Sequence, residues 1–232
     1  MRELVFDEGE YLTSEGLAQS LKNLRTTGLF NSVDINISKK DGLNIVNVNV
    51  EDKLTGIIRL GLKIDNERYL QPSIDIRNEN LFGTGAELGA HFLGGLRNQL
   101  FLIEHKANRI FATYLTYKLK VYFDNKNIYT YSNDITTNEN RFSSTRVGEY
   151  RQSIWGVSAG LGMQAGKFGN LISEFRYERN KISNIDGETV TPYLVDIAAF
   201  KFNMRIDTQD KYPYPNSGTV LNTYYETSQK FL

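Results

Sequence analysis

One pentapeptide of the sequence could hold a catalytic nucleophile. Gly156-Val157-Ser158-Ala159-Gly160 matches the G-x-S-x-G pattern of serine hydrolases. In such enzymes the serine stands on a sharp strand-to-helix turn, and a histidine follows it later in the chain. Here the pentapeptide lies inside an alternating, strand-like stretch, and no histidine follows Ser158. A dyad of Ser158 with Asp186 is the remaining catalytic alternative. The alternation favours a structural serine, so we expect no catalytic residue and no enzyme activity in this chain.

The other candidate groups are two histidines, two aspartates and a glycine-rich segment. His91 and His105 fall on neighbouring predicted strands without carboxylates at ligand spacing, so we expect no metal site. Asp207 and Asp210 could act as paired acids, but their proline-rich surroundings favour capping of turn N–H groups. Gly83-Thr84-Gly85 is not followed by a helix and therefore does not form a phosphate-binding loop. We expect no cofactor.

Composition excludes several classes of protein. The chain has 232 residues, with 27 Lys+Arg, 27 Asp+Glu and no cysteine. This balanced charge gives no reason to expect a nucleic acid partner. The lack of cysteine excludes disulfides and thiolate metal sites. No run of about 18 apolar residues is present, which excludes a transmembrane helix. A membrane β-barrel remains compatible with the mean hydropathy of −0.41, because half of its strand residues face a polar lumen.

From about residue 57 onward, apolar and polar side chains alternate with the period of a β-strand. We predict nine strands, at 55–65, 68–80, 84–95, 97–107, 110–124, 147–165, 169–183, 191–207 and 217–232. Several exceed the about 9–11 residues that a membrane strand needs. Short glycine-rich connections at 81–85 and 165–169 contrast with a long polar loop at 125–146. Short turns on one side and longer loops on the other are typical of outer-membrane barrels.

Two further patterns on these strands fit a barrel. The predicted lumen face carries charges of both signs, which argues against an ion-selective pore: Arg59, Lys63, Glu174, Arg176, Glu178, Lys201 and Arg205. Tyrosines near the predicted strand ends indicate aromatic girdles at the membrane interfaces: Tyr129, Tyr131, Tyr212, Tyr214, Tyr224 and Tyr225.

Residues 1–53 read as a small α+β unit. Thr13 is a suitable N-cap, leucines recur at helical spacing from Leu17 to Leu24, and Gly28 is a stop signal. Two alternating strands follow, joined by a tight turn at Asp41-Gly42, with an irregularity expected near Asn47. A lone helix on a hairpin buries little apolar surface, so we expect a further strand and helix upstream.

Four strings, in this order, resemble the BamA/TamA superfamily, also called the bacterial surface antigen family. Leu24–Val33 (LRTTGLFNSV) resembles the helix-to-strand passage of a POTRA domain, and Asn44–Glu51 (NIVNVNVE) resembles its final strand. Asn78–Gly85 (NENLFGTG) and Asp207–Gly218 (DTQDKYPYPNSG) resemble two periplasmic turns of the family's barrel. The resemblance covers essentially the whole chain. The odd strand count and the absence of a signal peptide further lead us to expect a fragment.

The resemblance implies a mostly β fold. We expect a partial transmembrane antiparallel β-barrel of about nine strands, roughly half of a sixteen-stranded barrel, preceded by part of an α+β POTRA domain. Residues 1–53 would be the C-terminal part of a periplasmic POTRA domain. Residues 54–232 would be the N-terminal part of a barrel in the bacterial outer membrane.

The resemblance also implies a non-catalytic role in inserting or translocating polypeptides. The first barrel strand would be a labile seam whose edge templates an incoming strand: Ile57, Ile58, Leu60, Gly61 and Leu62. The POTRA unit would offer clients a second edge at Val33, Ile35 and Ile37. The periplasmic turns would contain Asn80, Leu81, Phe82, Gly83, Gly85, Asp207, Asp210, Pro215 and Gly218. The implied partners are the lipid bilayer, other outer-membrane or secreted polypeptides, and periplasmic chaperones or accessory lipoproteins.

Two alternatives stay open. The barrel could anchor or export a fused upstream patatin-like lipase in type V secretion. The run from Val50-Glu51-Asp52-Lys53 to Leu60-Gly61-Leu62-Lys63-Ile64-Asp65 is similar to such barrels. Alternatively, the chain could be a soluble β-rich binding protein.

Overall fold

The computed structural model describes residues 3–40, 42–107, 110, 113–132, 145–165, 169–187, 190–210 and 214–231. Within these residues the chain forms one helix followed by strands, and no helix is long and apolar enough to cross a bilayer. The elements are α1 (Ser14–Thr26), β1 (Phe30–Lys40), β2 (Leu43–Asp52), β3 (Gly56–Asp65), β4 (Tyr69–Leu81), β5 (Ala86–Leu93), β6 (Asn98–Ala107), β7 (Leu115–Ser132), β8 (Thr145–Ala165), β9 (Gly169–Asp186), β10 (Tyr193–Asp207) and β11 (Val220–Phe231).

The helix begins and ends where the sequence predicts. Thr13 is extended, and its side chain accepts a hydrogen bond from the Gly16 N–H at 3.0 Å, which satisfies one of the free donors of the first turn. At the other end Gly28 adopts φ +69°, a conformation that favours glycine. Leu24 and Val33 are both buried where α1 packs on β1. The helix and the hairpin therefore share a small apolar core.

The β1–β2 hairpin is more regular than the sequence suggests. Asn47 pairs with Asn36 in unbroken register, and the one register shift falls between Phe30 and Ser32. The predicted irregularity near Asn47 is therefore wrong. Leu43 is one of the apolar residues on which that prediction is based, but its side chain is largely exposed on a regular strand. Gly42 occupies the turn with φ +79°. Asp41, the other predicted turn residue, lies outside the described residues.

The remaining strands form one nine-stranded antiparallel sheet in the order β11-β10-β9-β8-β7-β6-β5-β4-β3. Each strand pairs with its neighbours in sequence, so the predicted count of nine is confirmed. Within the described residues β3 and β11 are the edges and do not pair with each other. We call the end of the sheet that holds Gly56 and the connections 82–85 and 208–219 the proximal rim. The opposite end, with the connections 66–68 and 94–97, is the distal rim.

Two expectations about loops are wrong. Strand β7 runs to Ser132 and β8 begins at Thr145, so residues 125–132 belong to a strand rather than to a loop. Polar residues in this extension bond across the hairpin: Ser153 Oγ donates to Asn125 Oδ1 at 2.7 Å. Short connections also occur at both rims, and the extended turn 208–219 lies on the same rim as the short turn 82–85. The predicted strand residue Phe111 and most of the turn 165–169 lie outside the described residues.

The sheet has one apolar and one polar face. Residues that pair across strands share a face, and one apolar row crosses eight strands at Ile58, Ile76, Ala90, Ile103, Val121, Val157, Tyr177 and Ala198. We call this the reference row. The neighbouring row on the other face contains Arg77, Glu104, Lys120, Ser158 and Arg176.

The apolar face carries a band that crosses the strands diagonally. It runs over Ile58–Ile64 on β3, Leu115–Phe123 on β7 and Ala198–Ile206 on β10. Its centre lies about three residues distal to the reference row on β3 and about four residues proximal to it on β10. This is a shift of about one residue per strand. With a rise of about 3.4 Å per residue and a strand spacing of about 4.8 Å, the strands tilt by about 35° to the normal of the band. Membrane β-barrels have strand tilts of about 35–45°.

Candidate functional site: the open edge of the first sheet strand

Among the described strands, β3 pairs with β4 alone. Its register with β4 is continuous from Gly56↔Asn78 to Asp65↔Tyr69. The Glu79 N–H donates to the Thr55 carbonyl at 2.9 Å, so the backbone groups of odd-numbered residues in this stretch point towards β4. Backbone groups alternate in direction along a strand. Those of the even-numbered residues therefore point to the open edge, and they belong to Ile58, Leu60, Leu62 and Ile64.

The same four residues carry exposed apolar side chains. Their exposed fractions lie between 66% and 78%, against 45% for Val121 on the same face in the middle of the sheet. The edge thus combines free N–H and C=O groups with an apolar surface. Such an edge is a template for another strand.

The polar side of β3 is held less tightly at its proximal end than at its distal end. Ile57 lies on this side, and Arg59 reaches Asp75 at 3.8 Å. At the distal end Gln71 is almost fully buried, and its amide donates to the Asp65 carboxylate at 3.0 Å. Its carbonyl in turn accepts from the Asn98 side chain on β6 at 3.3 Å. The distal tip of the β3–β4 hairpin is thereby fixed to β6.

Gly61 has a packing role in this strand. A Cβ at Gly61 would lie 2.5 Å from Ser73 Oγ on β4, so the absence of a side chain lets the two strands keep close register. A Cβ added at Gly56 would meet nothing within 4 Å, so this glycine imposes no such constraint.

The polar face next to this edge is covered by a network of ion pairs. Arg77 bonds Glu87 and lies 3.4 Å from Asp75. Lys106 approaches Glu87 at 3.2 Å, and Lys118 approaches Glu104 at 3.1 Å. These charges were not singled out from the sequence, although Asp75 and Arg77 alternate with Ile74 and Ile76. Paired charges of both signs leave no uniform field along this face.

A second cluster spans β7, β8 and β9. The Tyr122 hydroxyl donates to Glu178 across the intervening strand, and its ring fills the space above Gly156. A Cβ on Gly156 would overlap that ring. Glu174, also on β9, lies 3.7 Å from Lys120 on β7.

The catalytic-looking residues do not assemble into a reactive site. Ser158 lies in the middle of β8 between Lys120 and Arg176, not on a strand-to-helix turn. His91 faces the polar side, 3.8 Å from Asp75. His105 is on the apolar side, where its Nε2 contacts the Tyr117 hydroxyl at 2.7 Å, so the two histidines cannot share an ion. Among the described residues, no group of three or more acidic or histidine side chains is placed to hold a metal.

The two predicted turns have the expected capping bonds. Asp207 Oδ1 accepts from the Gln209 N–H at 3.2 Å, and Asp210 Oδ1 accepts from the Asn216 N–H at 2.9 Å. Pro215 directly precedes Asn216, and Gly218 has φ +107°. Both aspartates therefore cap backbone donors.

The other turn follows Leu81 at the end of β4. In it, Asn80 Oδ1 accepts a hydrogen bond from the Gly85 N–H at 2.7 Å. Gly83 and Gly85 have φ of +72° and +73°. Phe82 also has a positive φ, +52°, and is 92% exposed. Both turns lie at the proximal rim.

The tyrosines are only partly where the girdle prediction expects them. Tyr224 lies on the polar face, where Lys201 Nζ is 4.7 Å from its ring centroid. Tyr129 packs against the Arg97 guanidinium, and Tyr212 lies outside the described residues. The aromatic row of the apolar face is formed instead by Phe92, Phe101, Phe123 and Trp155, which pair in sequence across β5 to β8.

In the N-terminal unit, Val33, Ile35 and Ile37 pair with Val50, Val48 and Val46 on one side of β1. No described strand pairs with the other side of β1. Val33 is buried under the helix, whereas Ile37 is half-exposed.

Comparison with known proteins identifies the family. The model of the Omp85 superfamily domain matches residues 80–232. The chain belongs to the Omp85 superfamily. The resemblance to the BamA/TamA superfamily is thereby confirmed.

Omp85 relatives agree with the architecture. The outer membrane protein assembly factor BamA of Neorickettsia risticii (strain Illinois) is 26% identical over 127 residues, covering 54% of this chain and 17% of the relative. The crystal structure of Haemophilus ducreyi BamA lacking POTRA domains 1–3 matches with a TM-score of 0.72 and 14% identity. CdiB of Acinetobacter baumannii matches with a TM-score of 0.64 and 11% identity.

These two structures establish a likeness of fold. Each match covers 98% of this chain, but only 44% and 42% of the two relatives. The chain thus spans less than half the length of the Omp85 structures that it resembles.

Proposed function

We propose that this chain supplies the first nine strands of an Omp85 barrel in the bacterial outer membrane, and that the barrel inserts or translocates other polypeptides without chemistry. The observation that carries this proposal is the open edge of β3. Its free backbone groups and exposed apolar side chains belong to the same four residues, from Ile58 to Ile64. An extended client segment would gain both hydrogen bonds and apolar contact there.

The diagonal band supports the location in the membrane. On β7 it covers Leu115–Phe123, which matches the about 9–11 residues that cross a bilayer. The polar face, with its paired charges, would line the lumen. Because no water can satisfy free backbone groups in lipid, the β3 edge is stable there only when paired. Weak pairing with the rest of the barrel would leave it open to exchange with a client strand.

Residues 1–53 would form part of a periplasmic POTRA domain, and residues 54–232 the barrel segment. The α1–β1–β2 order and the burial of Leu24 and Val33 support the first assignment. The unpaired side of β1, from Val33 to Ile37, would give clients a second edge before they reach β3. The turns at 82–85 and 208–219 would then lie on the periplasmic side. Periplasmic chaperones or accessory lipoproteins would deliver the clients.

Photo-crosslinking tests the proposal directly. A photoreactive residue at Leu60 in the full-length protein should crosslink to unfolded outer-membrane clients during their insertion. The matched control is Val121, which is apolar and on the same face, but lies on a strand paired on both sides. Crosslinks at Leu60 and none at Val121 are expected. Equal yields at the two positions, or none at Leu60, would refute the edge as the client site.

The alternatives differ in their support. The BamA relative from Neorickettsia risticii is an outer membrane protein assembly factor, which favours the insertion proposal for this chain. The apolar band and the Omp85 membership weigh against a soluble β-rich binding protein. Anchoring of an upstream patatin-like lipase stays a prediction, since no described residue bears on it.

A further inference from the structure

A cluster of basic side chains lies on the apolar side of the sheet, beyond the distal border of the apolar band. The cluster consists of Arg97 in the connection after β5, Arg146 and Arg151 on β8, and Lys181 on β9. On β8 the border of the band is Trp155, and Arg151 lies four residues further along the same face. On β9 the border is Tyr177, and Lys181 is again four residues beyond it.

Two of these arginines have a structural task. The buried Arg97 guanidinium lies between the Tyr129 ring and Glu149. Its Cζ is 3.1 Å from the ring centroid, and its Nη2 is 3.1 Å from Glu149 Oε1. Arg146 covers Tyr129 at 3.9 Å and also bonds Glu149, at 2.9 Å. One carboxylate thus serves two guanidinium groups, and the pair braces the extended β7–β8 hairpin.

The other two basic groups are left without an acidic partner. Arg151 Nε donates to the neutral Asn127 side chain at 3.0 Å. Within the part of the chain that the structure describes, no carboxylate pairs with Arg151 or Lys181. Ser153 pairs with Lys181 in the register, so Arg151 and Lys181 are diagonal neighbours on adjacent strands, a spacing of about 7–8 Å. Two exposed cations at this spacing repel each other, and an anion between them would remove that repulsion.

The distance of Arg151 and Lys181 from the border of the apolar band indicates which anion is available to them. Four residues beyond the band correspond to about 11 Å along the normal at a tilt of about 35°. The headgroup layer begins at the hydrocarbon border, and long basic side chains reach back several ångströms towards it. We propose that Arg151 and Lys181 form a binding site for the phosphate group of an anionic lipid in the distal leaflet. Arg97 and Arg146 are positioning residues that neutralise Glu149 and keep it from this site. This inference rests on the membrane location in the proposed function.

The site would fix a lipid beside the most strongly paired part of the sheet. Strands β7 and β8 pair over eighteen residues, against ten for β3 and β4. A lipid held there anchors the rigid side of the sheet at a constant depth, while the β3 edge stays free to exchange partners.

The test uses the full-length protein in a neutral detergent, titrated with phosphatidylglycerol or phosphatidylcholine and followed by native mass spectrometry. The double variant R151Q/K181Q should bind phosphatidylglycerol about thirtyfold more weakly, the effect of removing two basic groups near an anionic surface. Binding of phosphatidylcholine should not change. The variant R151K/K181R keeps both positive charges and should bind phosphatidylglycerol far more tightly than R151Q/K181Q, which separates the loss of charge from a folding defect.

The matched control is K126Q, at the same height on the polar face, where Lys126 bonds Asp124. It should bind phosphatidylglycerol like the unmodified protein. The proposal is overturned by unchanged affinity in R151Q/K181Q, by an equal loss in K126Q, or by displacement of the lipid with inorganic phosphate at equal concentration, which would indicate a free-anion site. Lipid binding without any client crosslinks at Leu60 would leave this site standing and refute the proposed function alone.

Discussion

A proline at Leu60 tests whether client insertion depends on the free N–H groups of β3. The Leu60 N–H points to the open edge, so Leu60→Pro removes one edge donor and leaves the β3–β4 hydrogen bonds intact. Proline is tolerated on edge strands in this orientation. Arg59→Pro is the matched variant on the adjacent residue, because the Arg59 N–H points towards β4 and its loss breaks the ladder.

The magnitude follows from one hydrogen bond at a site without water. Such a bond contributes about 0.5–1.5 kcal/mol net in water and more in lipid, where its absence costs several kcal/mol. We therefore expect Leu60→Pro to slow client insertion at least about tenfold, since about 1.4 kcal/mol corresponds to a factor of ten. Leu60→Ala keeps the N–H and should slow insertion far less.

The assay is the rate at which a radiolabelled client barrel folds in vesicles that contain the full-length protein. The folded fraction of each variant is checked by its gel mobility with and without heating. Arg59→Pro should lower that folded fraction, whereas Leu60→Pro should not. Normal insertion by a well-folded Leu60→Pro variant would refute the reasoning, as would equal losses of folding in the two proline variants.

Two further substitutions test the turn and the polar face. Gly218→Ala should destabilise the folded sheet by at least about 2 kcal/mol in urea titrations, because φ is +107° and a Cβ would overlap the Thr208 carbonyl oxygen; an unchanged midpoint would contradict this. Tyr122→Phe should cost about 1.5–3 kcal/mol by the same measurement, since it removes a hydrogen bond to the Glu178 carboxylate and keeps the ring over Gly156. A neutral result would mean that the bond contributes nothing to stability.

Most strands of the sheet can be predicted from the sequence because one face is apolar and the other polar. Alternation such as Ile74-Asp75-Ile76-Arg77 marks a strand and assigns its faces without any knowledge of its neighbours. The turns are equally local, since Asp210 and Gly218 are the residue types that cap donors and adopt a positive φ.

The distal part of the β7–β8 hairpin could not be predicted from its local sequence. Asn125 and Asn127 have the composition of a loop, yet each bonds a residue on the opposite strand, and those bonds exist only after pairing. The same holds for the candidate site. The sequence identifies Leu60 as an apolar strand residue, but the direction of its N–H depends on the register with β4. Positive φ at Phe82 has no sequence signal at all.

The most direct measurement of the central claim is the register of a client strand on β3. Single cysteines at Ile58, Leu60 and Leu62 of the full-length protein are combined with cysteines along the edge strand of a stalled client, and disulfide yield is measured for every pair. If β3 templates the client through its backbone, each two-residue step on β3 moves the best partner by two residues on the client. Yields that are uniform along the client, or absent at all three positions, would contradict the account.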